Sequence, residues 1–107
     1  MSVALAVLAE AQKEFEAELA LNPGDAAAEY EVGTILQARQ KGADAVPHFE
    51  RAAALYPRAQ SPLLALSQLS RRAGDRPAAQ RELRILAELP EDERQREDPW
   101  WNYYDVR

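Results

Sequence analysis

The feature that most constrains this chain is a recurrence of similar residues at intervals of 34 along its 107 residues. Two prolines, Pro23 and Pro57, keep this interval, which is called the period below. Three sets of small or apolar residues keep it as well: Ala11, Ala45 and Ala79; Phe15, Phe49 and Leu83; and Leu21, Leu55 and Leu89. A fixed period of this length indicates a structure built from stacked repeats. The sequence therefore predicts a repeat architecture for one domain, residues 1–107.

The composition favours helices over strands throughout the chain. Hydrophobic residues make up 47% of it and charged residues 29%, values that are ordinary for a folded domain. Alanine, the best helix former, is abundant, whereas glycine is scarce and aromatic residues reach only 7%. We therefore predict an all-α fold.

A first helix is predicted from about Val3 to Leu21, capped by Ser2 and stopped by the turn after residue 21. Its apolar residues recur at intervals of three and four on one face: Leu8, Ala11, Phe15 and Leu19. Three carboxylates, Glu10, Glu14 and Glu18, lie on another side of the helix. They are interpreted as its solvated face rather than as a general acid–base pair.

Two helical hairpins are expected to follow. Asp25 is predicted to cap a helix over about 26–41 that ends at Gly42 in the left-handed conformation, and Asp44 to cap a helix over about 45–56 that tolerates Pro47 in its first turn. Ser61 is predicted to cap the next helix, which ends at about residue 73 before the turn at Gly74. The last helix is expected over about 76–89.

The period and these positions together resemble the tetratricopeptide repeat (TPR) family, with Gly33 at the small position where two helices of a repeat cross closely. The resemblance implies two full repeats, 22–57 and 58–90. In each repeat of this family the first helix is called A-type and the second B-type. The two repeats are flanked by a B-type helix over 3–21 and by the start of a further A-type helix over 98–107. It implies a right-handed stack of antiparallel helical hairpins, a TPR-like α-solenoid, and the chain is expected to be part of a longer array.

In the TPR family the A-type helices line a concave groove that binds a peptide or a helix. The resemblance implies that this groove is lined here by Ala27, Tyr30, Thr34, Gln37, Ala38, Leu64, Gln68, Arg71 and Arg72. Two alternatives stay open: Leu64 packs in the core, and Arg71 pairs with Asp75 at the fourth position after it. The residues at the chaperone-binding clamp positions are Tyr30 and Thr34, which excludes that specialised ligand.

The segment 98–107 contains four aromatic residues: Trp100, Trp101, Tyr103 and Tyr104. The favoured interpretation is that Trp100 and Tyr103 pack on the helix over 76–89 as a terminal cap. The alternative is an exposed patch that joins two copies of the chain.

The expected function is a non-catalytic module that binds a protein or peptide, and the alternative is a structural or oligomerisation element. His48 is the only histidine and cysteine is absent, so no metal, cofactor or catalytic site is predicted. His48 is predicted to have a surface or packing role, facing outward or toward the next repeat. The net charge of −5 argues against nucleic acid, although six arginines within 58–84 favour an acidic partner.

No apolar stretch is long enough for membrane insertion. The cytoplasm is taken as the default location. Arginine in preference to lysine, together with the abundant alanine, is typical of GC-rich bacterial genomes, so we expect a bacterial origin.

Overall fold

The structure is a computed structural model that describes residues 3–57 and 59–89. These residues form five α-helices and no β-strand, which confirms the predicted all-α class. The helices are α1 (Val3–Leu21), α2 (Ala26–Ala38), α3 (Gly42–Leu55), α4 (Gln60–Arg72) and α5 (Arg76–Glu88). The first helix has the bounds that the sequence predicts. None of the helices in this described part is long and apolar enough to cross a membrane.

The helix bounds repeat with the interval seen in the sequence. Helices α2 and α4 are both 13 residues long, and their first residues, Ala26 and Gln60, are one period apart. The first residues of α3 and α5, Gly42 and Arg76, have the same spacing. Consecutive helices pack on one another along the chain, so that α2 contacts α1 and α3, and α4 contacts α3 and α5.

The turn inside each hairpin has the same backbone geometry. Gln40 (φ 64°) and Gly74 (φ 79°) are left-handed and lie one period apart. The residue after each of them donates a backbone hydrogen bond to the end of the preceding helix. The Lys41 N–H donates to the Leu36 carbonyl and the Asp75 N–H to the Ser70 carbonyl, at 2.8 Å in both cases. Both turns are therefore Schellman motifs.

The prediction that Gly42 ends the second helix is wrong. Helix α2 ends at Ala38, earlier than expected, and Gln40 takes the left-handed position. Gly42 is instead the first residue of α3, where a Cβ atom would lie 3.0 Å from the Leu69 side chain. Gly42 therefore allows α4 to pack closely against α3 and does not form the turn.

Two predicted helix starts also need correction, because α3 and α4 begin earlier than expected. Asp44 lies in the first turn of α3, and neither α3 nor α4 has a side-chain cap hydrogen bond. Pro47 falls in the second turn of α3, and Ser61 is the second residue of α4 rather than its cap. The Asp25 cap is confirmed, since its side chain accepts a hydrogen bond from the Ala28 N–H at 3.0 Å.

The core is centred on Phe49, which is 0% exposed. Its ring packs so closely on Gly33 that a Cβ there would lie 2.8 Å from the Phe49 Cε1 atom, and this confirms the predicted close crossing of α2 and α3. The cluster of buried residues also includes members of α4, and Phe15 and Leu19 of α1 pack against it. Helix α5 contributes nothing to this cluster and buries only Ala78 and Ala79.

Candidate functional site

A pocket between α2 and α4 brings together most of the predicted groove residues. Its cavity volume is about 310 Å³. Its lining consists of Tyr30, Thr34, Gln37, Phe49, Ser61, Leu64, Ala65 and Gln68. Five of the nine residues predicted for the groove therefore lie around one cavity. Leu64 is only partly buried and lines this cavity, so it does not simply pack in the core.

The floor of the pocket is apolar and its walls are polar. The rings of Tyr30 and Phe49 meet edge to face, with centroids 5.5 Å apart and planes inclined by 62°. The amides of Gln37 and Gln68 carry both donors and acceptors at the rim. The Thr34 hydroxyl already donates to the Tyr30 carbonyl at 3.0 Å. This arrangement can enclose an apolar side chain while the two amides bond to a peptide backbone.

The two predicted arginines extend this pocket toward the C-terminal end of α4. Gln68, Arg71 and Arg72 line the next depression, so that Gln68 belongs to both. Both arginines are exposed, and within residues 3–57 and 59–89 neither lies within 4.0 Å of a carboxylate. The alternative pairing of Arg71 with Asp75 is wrong, because the two side chains do not come within 4.0 Å of each other. The Asp75 carboxylate instead caps α5, where it accepts a hydrogen bond from the Ala78 N–H at 3.1 Å.

A further pocket, of about 350 Å³, lies beside the turn between α2 and α3. It shares Gln37 with the first pocket and Arg72 with the second, and its apolar wall includes Val46 and Leu69. The three depressions share lining residues and lie along α2 and α4, and together they are called the α2–α4 groove below. Of the other predicted residues, Ala27 packs against the small cluster of Ala26 and Ala59 and does not line the groove. Ala38 is exposed but lines none of the pockets.

A polar cluster that the sequence did not predict links α2 to α3. The Glu29 side chain is only 6% exposed, and its two carboxylate oxygens have separate partners. Oε2 lies 2.8 Å from Nδ1 of His48, and Oε1 accepts a hydrogen bond from Nε of Arg51 at 2.9 Å. His48 therefore faces back toward α2 in its own hairpin, which corrects the prediction that it faces outward or toward the next repeat.

The hydrogen on the His48 ring can be assigned from this geometry. Nδ1 of His48 also lies 3.1 Å from Nη2 of Arg51, but one ring nitrogen cannot donate to a carboxylate and accept from a guanidinium at once. The carboxylate is both closer and charged, so we assign a hydrogen to Nδ1 that is donated to Glu29. A signal for this cluster exists in the sequence: Glu29 lies one period before Leu63, so a carboxylate stands where the second hairpin buries an apolar residue.

The remaining predicted site residues, Trp100, Trp101, Tyr103 and Tyr104, lie outside the described residues. Their assignment as a cap or an interface stays a prediction.

The fold defines a class of protein: an all-α chain with an internal sequence repeat, in which each helix packs against the next one. Beyond that class, sequence comparison adds no family. No known protein-family model matches the chain, and no characterised protein is similar enough in sequence to count as a relative.

Proposed function

We propose that this chain is a TPR-like module that binds a segment of another protein in the α2–α4 groove and performs no catalysis. The observation that carries the proposal is the gathering of Tyr30, Thr34, Gln37, Leu64 and Gln68 around one cavity. These are positions that the TPR resemblance assigns to a ligand-binding groove. The common spacing of the helix starts, and of Gln40 and Gly74, supports the repeat assignment. The right-handed stack of hairpins is what the TPR resemblance implies.

The chemistry of the groove selects the occupant. The cavity between α2 and α4 is lined by the rings of Tyr30 and Phe49 and by the Leu64 side chain, and it fits one large apolar side chain. The α4 end of the groove offers the guanidinium groups of Arg71 and Arg72, which have no carboxylate partner among the described residues and can form bidentate bonds with carboxylates. The partner is therefore a protein segment in which an apolar residue is followed or preceded by acidic residues. Its binding mode is docking of a peptide or helix in a groove.

A designed peptide tests this proposal directly. The probe is a fluorescein-labelled set of peptides that combine a leucine or aromatic residue with a run of aspartates and glutamates, and fluorescence anisotropy measures the Kd. Arg71→Glu with Arg72→Glu should weaken binding about tenfold or more and flatten its dependence on salt, because charge repulsion replaces attraction. The matched control, Arg81→Glu with Arg84→Glu, changes two exposed arginines of α5 outside the groove and should leave the Kd unchanged.

Two results would count against the proposal. If both charge reversals weaken binding equally, the peptide responds to net charge and not to the groove. If the Arg71 and Arg72 reversal instead halves the mass of the protein measured by sedimentation, the groove joins copies of the chain. That outcome would favour the alternative function as an oligomerisation element.

A further inference from the structure

Gln40 holds a backbone conformation that costs a glutamine more than it would cost a glycine. Within residues 3–57 and 59–89 it is the only residue other than glycine with a positive φ, at 64°. A Cβ atom is crowded in this conformation, which is why glycine usually occupies it. Gly74, the equivalent residue in the second hairpin, has open space around it. A residue kept in such a conformation where glycine would fit directs attention to a use for its side chain.

Gln40 lines the pocket of about 350 Å³ beside the turn between α2 and α3, which is called the turn pocket here. Val46 and Leu69 give this pocket an apolar wall, and Gln37, Gln40 and Arg72 give it a polar rim. Within the described part of the chain no carboxylate lies within 4.0 Å of Arg72. An apolar wall with a few polar groups around it is the usual make-up of a ligand site.

The turn pocket lies next to the cavity between α2 and α4, and the distance between them can be read from the helices. Leu69 is one turn after Ala65 in α4, and Val46 is one turn before Phe49 in α3. With a rise of 1.5 Å per residue, the apolar floors are about 5–6 Å apart. Residues two positions apart in an extended segment are separated by about 7 Å and point to the same side. Two such side chains therefore match the two cavities.

The polar groups at the rim favour an extended occupant over a helical one. Gln37, Gln40 and Gln68 line the two cavities, and their side-chain amides make no hydrogen bond to any of the described residues. Each amide can donate and accept. An extended segment offers free backbone N–H and C=O groups to such amides, whereas a helix uses most of its own internally.

We propose that the α2–α4 groove takes an extended segment of a partner protein with two apolar side chains two positions apart and an acidic residue beside the second. The first apolar side chain enters the cavity between α2 and α4, and the second enters the turn pocket. There the Gln40 amide bonds to the backbone of the segment and Arg72 to the acidic side chain. This inference rests on the proposed function and adds the conformation and spacing of the ligand.

Three labelled peptides test the spacing. The probe is a fluorescein-labelled peptide with two leucines two positions apart, followed by a run of aspartates and glutamates. One comparison peptide has serine in place of the second leucine, and another has its leucines four positions apart. Fluorescence anisotropy should give the first peptide a Kd about tenfold lower than either comparison peptide, because only the first fills both cavities.

Filling the turn pocket should remove this preference. Ala43 is exposed and lines the turn pocket, so Ala43→Leu occupies the space meant for the second leucine. The probe should then bind no tighter than the serine peptide. The matched control is Ala38→Leu, at an exposed alanine that lines none of the pockets, and it should keep the tenfold preference.

Gln40→Gly separates a role in binding from a role in the fold. It should weaken binding of the probe about fivefold, because one hydrogen bond to the segment is lost. It should also raise the urea midpoint of the free protein, because the crowded Cβ atom is removed. A residue that served the turn alone would change stability and leave the Kd as it was.

The outcomes distinguish this inference from the proposed function on which it rests. If Arg71→Glu with Arg72→Glu weakens binding but Ala43→Leu and Gln40→Gly leave the Kd unchanged, the groove binds its ligand without the turn pocket and this inference alone fails. Tighter binding of the peptide whose leucines are four positions apart would overturn it in favour of a helical occupant. If none of the peptides binds the wild-type protein, the inference and the proposed function fail together.

Discussion

The two hairpins, α2–α3 and α4–α5, have matching backbones but unequal cores. Their helices start one period apart and their turns share one geometry. At equivalent positions, however, Phe49 is fully buried and Leu83 is 41% exposed. The difference arises from neighbours, since α3 packs on both α2 and α4, whereas α5 packs mainly on α4. A repeated backbone therefore does not give a repeated core, and burial depends on what stacks next to each unit.

The two hairpins also differ in the contact between their two helices. In the first hairpin a buried carboxylate, Glu29, is held by His48 and Arg51. The equivalent positions one period later are Leu63, Glu82 and Ile85, of which Leu63 is buried and Ile85 is 45% exposed. Glu82 accepts a hydrogen bond from the Ser70 hydroxyl at 2.8 Å. The first hairpin thus joins its helices by charge at a site where the second uses an apolar side chain.

The largest expected effect tests the unequal cores. Phe49→Ala should lower the free energy of unfolding by about 3–5 kcal/mol, because it leaves a cavity at the centre of the cluster. Leu83→Ala, its counterpart, should cost about 1 kcal/mol, because the Leu83 side chain is already 41% exposed. Urea denaturation followed by circular dichroism measures both. Equal losses would contradict the difference in burial between the two positions.

An intermediate effect is expected from removing the partners of Glu29. His48→Ala with Arg51→Ala leaves a carboxylate that is 6% exposed without a partner and should cost about 3 kcal/mol. Adding Glu29→Leu, which copies the second hairpin, should recover most of this loss, since no charge then stays buried.

The matched control is Glu82→Ala with Ile85→Ala, which removes one hydrogen bond and one half-exposed side chain and should cost about 1 kcal/mol. Failure of Glu29→Leu to restore stability would mean that His48 and Arg51 act through packing rather than through the charge of Glu29.

The sequence predicted the helices well because their residues repeat and their apolar positions are periodic. It predicted Gly33 correctly, since a glycine inside an apolar helical stretch has few explanations other than close packing. It did not predict the Glu29 cluster, because His48 and Arg51 are distant from Glu29 in the sequence and meet it only when α2 folds against α3. Arg71 was left with an alternative partner, Asp75, because the spacing of four residues cannot show whether the two side chains meet.

The error in the turn between α2 and α3 has a different cause. The prediction relied on the preference of glycine for the left-handed conformation, but the backbone is left-handed at another residue. Glycine is the usual left-handed residue at a helix end, so Gly42 was preferred over Gln40. The structure places the left-handed residue at position 40, which is the position that lies one period before Gly74. The global period was a better guide to this turn than the local residue preference.

The smallest expected effect concerns that turn. It is tested by exchanging the left-handed residues of the two hairpins, Gln40 and Gly74. Gln40→Gly should stabilise the protein by about 1 kcal/mol, because glycine adopts φ 64° without the steric cost of a Cβ atom. Gly74→Gln should destabilise it by a similar amount for the same reason, since Gly74 has φ 79° and no neighbour that the new side chain would meet. Gly24→Gln serves as the control, because Gly24 also lies in open space but lacks a positive φ. Thermal and urea unfolding should therefore show opposite shifts for positions 40 and 74 and little change for position 24. Shifts of the same sign at both turns would mean that the two Schellman motifs are not equivalent, and the period would then apply to the helices but not to the connections between them.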